Sequence, residues 1–346
     1  MQIDLLNKRL IEYVEDDTYS IGLSSGKMGW CIYFYHLARL ESNVQYEQIA
    51  ERLLDLVTSQ LSDMMDITVD SGLSGIALGI RHLIKGQFIA GEINDVLKEV
   101  DEVIFKKLAF LPKETTTKHI PKVDLLHLLY YLYVRYTDQT TSNSRFIYQE
   151  LIIHSLELFL YDLHLGFFKD YFTFSTQYFH TPLFLFIIGK LYDLNIYSDR
   201  IEKILQEYCI PILSLFPLSA GNRLYLLWGL LKIRNILPDH QKKVVEQIDR
   251  LRASIQVVEM VEQEFHDQDI YMTNGLSAIY YLLVDLQNND PDYSIVFDHF
   301  LFYRKMEASQ AWNSMMKEDF YFQKYCRFYE GYPLAYLTFL KIRNAL

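Results

Sequence analysis

The sequence predicts an all-α fold, a closed α/α toroid of about seven helix pairs, and three observations carry that prediction. A small-residue turn followed by an apolar helix recurs along the whole chain. Amphipathic segments with one charged face lie between those apolar helices. Proline and glycine are scarce, 8 and 14 in 346 residues, which disfavours a turn-rich β fold.

The clearest turns are Gly22-Leu-Ser-Ser-Gly26-Lys-Met-Gly29 and Gly72-Leu-Ser-Gly75-Ile-Ala-Leu-Gly79. Asn274-Gly275-Leu-Ser-Ala and Glu330-Gly331-Tyr-Pro-Leu-Ala repeat the pattern, and Ala220-Gly221-Asn-Arg-Leu is a weaker copy. Val123-Asp124-Leu-Leu-His and His180-Thr181-Pro-Leu-Phe are degenerate copies that fill the gaps. With Gly26, Gly75, Asp124, Thr181, Gly221, Gly275 and Gly331 as anchors, subtraction of positions gives separations of 49, 49, 57, 40, 54 and 56 residues. Each interval holds two helices and two loops and leaves no room for a separate domain, so residues 1–346 read as one domain.

The anchor helices are apolar nearly all round, as a helix covered on both sides must be. The intervening segments carry one apolar stripe. Ile49, Leu53 and Val57 step by four among Glu47, Glu51, Arg52 and Asp55, and Ile93, Val96, Val100 and Val103 form a second stripe. Segments 198–208 and 240–257 read the same way. Inner apolar helices alternating with half-polar outer ones make two concentric layers. At the anchors, glycine answers a close approach to neighbouring chain or a positive φ. Helix-start N–H groups would then converge on one mouth of the ring.

Composition narrows the partners. Half the residues are hydrophobic, with 27 Tyr and 22 Phe, and 22% are charged, which is ample material for a packed core. A net charge of −11 argues against nucleic acid or an anionic membrane as partner. The richest apolar run, Leu183 to Ile188, is far too short to span a bilayer, and no signal peptide is visible at the N-terminus. Cys31, Cys209 and Cys326 are widely separated, show no metal spacing and fit a reducing compartment, so a cytoplasmic protein is expected.

At 22–29 and 72–78 the turns resemble those of lanthionine synthetase C-like proteins, and the resemblance extends through the repeat period to the turns near 275. It implies a double α-toroid of seven inner and seven outer helices. Family cyclases add a peptide cysteine thiol to a dehydrated serine or threonine, with zinc holding the thiol as thiolate. The resemblance places the family's zinc ligands at Ser219, Thr273 and Asn274, none of which is a usual zinc ligand, so no metal and no cofactor are expected. It also places a general acid/base histidine at His180, where a structural hydrogen-bonding role is the competing reading. Asp66, Asp70 and Asp124 all lie near turns that could supply an acidic partner.

Lys27, Tyr178, Tyr271, Asn274 and Glu330 stand beside anchor turns and are expected to line a cavity mouth. The leading expectation is a peptide substrate, in maturation of a ribosomally made peptide, handled without zinc. Two other readings stay open. Glu264, Asp267 and Asp269 could form the carboxylate pair of a toroid glycoside hydrolase. A non-catalytic scaffold that binds a partner is the third.

Overall fold

The computed structural model describes residues 3–64, 66–111, 120–161 and 163–346, and among these every regular element is a helix. A helix starts at each of the seven anchors. These are α2 (Lys27–Glu41), α4 (Leu73–Lys85), α6 (Lys122–Asp138), α8 (Thr181–Asp193), α10 (Ala220–Leu231), α12 (Leu276–Asn289) and α16 (Tyr332–Arg343). α1 (Ile3–Glu12) precedes them, and between them run α3 (Val44–Ser59), α5 (Lys98–Ala109), α7 (Ser142–Leu160), α9 (Ser198–Glu207) and α11 (Gln241–Ala253). The last three are α13 (His299–Glu307), α14 (Gln310–Lys317) and α15 (Asp319–Tyr325). The chain divides into two compact units, residues 1–158 with 310–340, and residues 159–309 with 341–346.

The two helix classes expected from the apolar pattern are present. α2 buries every residue from Lys27 to Tyr35, and α10 buries most of its length. The intervening helices bury single stripes: Ala50, Leu53 and Val57 on α3, and Val244, Gln247, Ile248 and Leu251 on α11. α2 packs on α3 and α4 in the first unit, and α10 packs on α8, α11 and α12 in the second. One stripe differs in part from the sequence reading. Val96 and Val103 are exposed, and the buried face of α5 is Val100, Ile104 and Leu108. The buried stripe runs Ile93, Leu97, Val100, Ile104 and Leu108 at helical spacing straight through the one-residue interruption at Leu97. Ile93 and Val100 therefore face the core as expected, and Leu97 and Ile104 take the places given to Val96 and Val103.

The anchor turns share one construction. At the start of α2, Lys27 N and Met28 N donate to the carbonyls of Ser20 and Ile21 (2.9 and 3.3 Å). At α4, Leu73 N and Gly75 N donate to Asp66 and Thr68 (2.9 and 3.4 Å), and at α12, Leu276 N and Ser277 N donate to Asp269 and Ile270 (2.9 and 3.3 Å). In all six bonds the acceptor lies seven residues back, so the loop before each helix satisfies N–H groups that a helix start otherwise leaves open. This explains the glycines and corrects one expectation. Gly26, Gly72 and Gly275 have φ of −132°, −104° and −142°, so none needs the left-handed region. Close approach demands them instead: a Cβ on Gly75 would strike the Val69 carbonyl, and one on Gly275 the Asp269 carbonyl. At these three turns the N–H groups that were expected to face a mouth are turned onto the chain's own carbonyls.

The first unit holds a buried polar knot. Arg135 on α6, 1% exposed, donates from Nη2 to Asp101 Oδ2 (2.8 Å) and from Nη1 to Asp138 Oδ2 (3.2 Å). Asp101, on α5, also accepts from the hydroxyls of Tyr131 and Tyr148. Arg81 of α4 joins from the other side, donating from Nη2 to Asp138 Oδ1 (2.8 Å). Burial works against the Asp138 carboxylate, but the bond and charge of Arg81, with Arg135 and Lys85 beyond it, hold it below the usual carboxylate range. The knot ties α4, α5, α6 and α7 together.

Candidate functional site

The second unit contains a cleft of about 520 Å³ lined by three aromatic residues (Phe172, Phe174 and Phe265), Leu218 and Thr173, and by Ser219, Glu264, His266, Asp269 and Asn274. Its floor is built on the start of α10. Ser219 is the N-cap residue, and its Oγ accepts from Asn222 N (3.4 Å) while donating to Glu264 Oε2 (2.8 Å). The Glu264 carboxylate further accepts from Ala220 N (2.6 Å) and Gly221 N (3.1 Å). At this turn a side chain does what preceding carbonyls do at α2, α4 and α12. An anion at a helix N-terminus is favoured by both the free N–H groups and the macrodipole. Glu264 reaches the turn from the end of Met260–Glu264, one turn of π-helix.

The wall is the loop between α7 and α8, fastened at both sides. Fully buried Asn222 donates from Nδ2 to the carbonyls of Tyr171 (2.9 Å) and Thr173 (3.0 Å), and its Oδ1 accepts from Ser175 N (3.2 Å). Asp170 Oδ2 accepts from Leu218 N (3.1 Å). On the other side Thr176 N donates to the Thr273 carbonyl (2.8 Å), and Thr176 Oγ1 to that of Met272 (3.0 Å). The fastened loop presents Phe172 and the stacked pair Tyr171–Tyr178, ring centroids 5.9 Å apart. Across the cleft, Asp269 Oδ2 accepts from His266 N (3.0 Å).

Of the residues singled out in the sequence, Ser219 and Asn274 come together here, and Thr273 joins the loop through its carbonyl. The three positions present two hydroxyls and an amide. Ser219 Oγ is engaged by Glu264, and Thr273 Oγ1 donates to Asn274 Oδ1 (3.3 Å), a donor set that does not fit zinc. The three cysteines are buried elsewhere as free thiols, and burial pushes the Cys31 thiol up. Among the described residues no group of three or more His, Cys, Asp or Glu side chains stands together as a metal site.

Tyr178 is exposed on the loop, whereas Tyr271 is buried in the core and offers no open wall. His180 is half-buried at the start of α8, its ring 6.3 Å from that of Phe167, and it does not line the cleft. In the first unit, Lys27 is 1% exposed with its ammonium 3.9 Å from Asp17, so it too lies in the core, and Glu330 accepts from Arg327 (2.9 Å). Of the three carboxylates weighed for sugar hydrolysis, Glu264 and Asp269 line this cleft. Asp267 lines an adjoining one with Glu262 and Lys305. Both oxygens of Glu264 are taken up by the turn, which gives it a structural task. Near the N-terminal turns, Asp66 accepts from Thr68 and Ser71, and burial with the charges of Asp70 and Asp66 raises Asp124.

Sequence reasoning missed Phe172, Phe174, Leu218 and Asn222. Phe172 and Phe174 lie in the 57-residue interval from Asp124 to Thr181, which its length does not set apart from the 56-residue interval before Gly331, so no spacing signal marked them. No family model matches the chain, and no curated protein matches it as a relative. Among the described residues no helix is long and apolar enough to cross a membrane.

Proposed function

We propose that the chain is a divergent lanthionine synthetase C-like protein. In this reading residues 1–346 form one α/α toroid that holds a peptide in its central cavity. It serves, in the cytoplasm, the maturation of a ribosomally made peptide, and it works without zinc. The observation that carries the reading is the cleft at the start of α10. Ser219 and Asn274, two of the three positions that the resemblance assigns to the metal-holding turns, line it together beside an aromatic wall. The shared construction of the turns at α2, α4 and α12 supports the repeat on which that register rests.

With hydroxyls and an amide at 219, 273 and 274, nothing at these positions would hold a substrate thiol as thiolate, so the reading is of a peptide-binding site first. The test is an array of short peptides of varied sequence, half carrying a dehydroalanine and a cysteine. Fluorescence anisotropy reads binding, and alkylation reads the free thiol. Ring closure would form a carbon–sulfur bond and move the thiol proton to the α-carbon, so mass stays constant while alkylation is lost. Saturable binding with dissociation constants on the order of micromolar is expected, with the thiol still free at the end. Failure of every peptide to bind would overturn the proposal.

A further inference from the structure

The lip of the cleft carries two exposed apolar side chains. Phe172 is 86% exposed and Leu218 is 68% exposed, and both line the one cleft. Here the two share one concave site, where an apolar ligand group can remove both from water together. Phe172 is also held in place. Its neighbours Tyr171 and Thr173 are both pinned through their carbonyls by Asn222, so little ordering remains to be done on binding.

Charge specifies the rest. The ionisable side chains lining the cleft are Glu264, His266 and Asp269, with no lysine or arginine. The adjoining cleft, about 580 Å³, shares Phe265, His266 and Asp269 and adds Glu262 and Asp267. Its lysine, Lys305, is 3.0 Å from Glu262 and already paired. Glu264 spends both oxygens on the start of α10, whereas Asp269 uses one oxygen for His266 N and its Oδ1 makes no hydrogen bond among the described residues. A cation set beside Asp269 therefore meets an available carboxylate oxygen. The net charge of −11 draws such a ligand in from a distance.

We propose that this cleft takes a peptide segment in which an aromatic or large aliphatic side chain stands next to a lysine or arginine. The apolar side chain lies against Phe172 and Leu218, and the cation sits at Asp269. The proposal rests on the peptide-binding reading above and names the class of peptide. A free organic cation would leave the apolar lip bare, and a neutral apolar segment would leave the second carboxylate oxygen of Asp269 unused.

The test uses hexapeptides acetylated and amidated at their ends, with Phe-Arg, Phe-Glu, Phe-Ala or Ala-Arg at the centre, titrated calorimetrically into the full chain. The Phe-Arg peptide is expected to bind about tenfold more tightly than the other three, which is the scale of one well-placed contact. Its affinity should fall as salt rises from about 50 to 300 mM, while that of Phe-Ala should not. Asp269→Asn keeps an acceptor for His266 N and should abolish the preference for arginine over alanine. Phe172→Ser should weaken Phe-Arg and leave Ala-Arg unchanged. Equal or tighter binding of Phe-Glu overturns the proposal while leaving the peptide reading intact, and so does acetyl-arginine amide binding as well as the Phe-Arg peptide. If no hexapeptide binds, the peptide reading itself falls. The salt comparison needs no variant, so it decides the charge claim even if Asp269→Asn does not fold.

Discussion

Arg135→Met is expected to lower the stability of the first unit by about 3–5 kcal/mol, seen as an earlier urea midpoint at unchanged slope. The reason is what the substitution leaves behind. Asp101 is buried, and its charge is balanced by the Arg135 guanidinium, with the hydroxyls of Tyr131 and Tyr148 completing its shell. Removing the cation strands a carboxylate in a dry interior, where the penalty of an unpaired charge exceeds the gain the pair gave. Asp138 also loses a donor but keeps Arg81, so the damage centres on Asp101. Adding Asp101→Asn to Arg135→Met should therefore recover part of the loss, because the stranded charge is gone. An unchanged midpoint in Arg135→Met, or a further loss in the double variant, would show that the knot is not held by charge balance.

Glu264→Ala is expected to cost about 2–3 kcal/mol, the scale of losing a helix cap that is also a charged acceptor. Three donors converge on this carboxylate, and alanine leaves Ala220 N and Gly221 N at the start of a buried helix without an acceptor. Glu264→Gln should lose less, since its carbonyl still accepts, though the interaction between a full charge and the helix start is gone. Thermal unfolding of the two variants beside the parent checks the order: parent, then glutamine, then alanine. If alanine melts with the parent, Glu264 is not the cap of α10, and its carboxylate becomes available for other chemistry.

Much of the fold was legible because its cause is local. An apolar helix after a tight turn announces itself through composition and spacing, and all seven anchors mark helix starts. The stripe leading into α5 was half legible: Ile93 and Val100 are buried, but Leu97 and Ile104, each one residue beyond the equally apolar Val96 and Val103, are the ones that face the core. The role of the glycines was half legible. The need for them was plain, but whether φ or close approach imposed it depends on where carbonyls seven residues back end up.

The site was less legible still. Ser219 and Asn274 could be aligned by their turns, yet the group that accepts from Ser219 and from the first N–H groups of α10 is Glu264, 45 residues on. Likewise Asn222 reads as one more residue of an apolar helix, and only the folded chain shows it holding the loop that carries Phe172. Long-range hydrogen bonds of this kind leave no periodic trace in a single sequence. The same holds for Lys27 and Tyr271, whose neighbouring glycines suggested an open mouth while their side chains turn into the core.

The central claim is that peptide binds in the cleft between the start of α10 and the turn before α12. Photo-crosslinking tests it most directly, using the Phe-Arg hexapeptide with its phenylalanine replaced by benzoylphenylalanine and locating the adduct by peptide mass spectrometry. The adducts should fall within 171–178, 218–222 or 262–274, and be suppressed by excess unmodified peptide and by Phe172→Ser. Adducts confined to the first unit, or spread over the surface without competition, would contradict the claim.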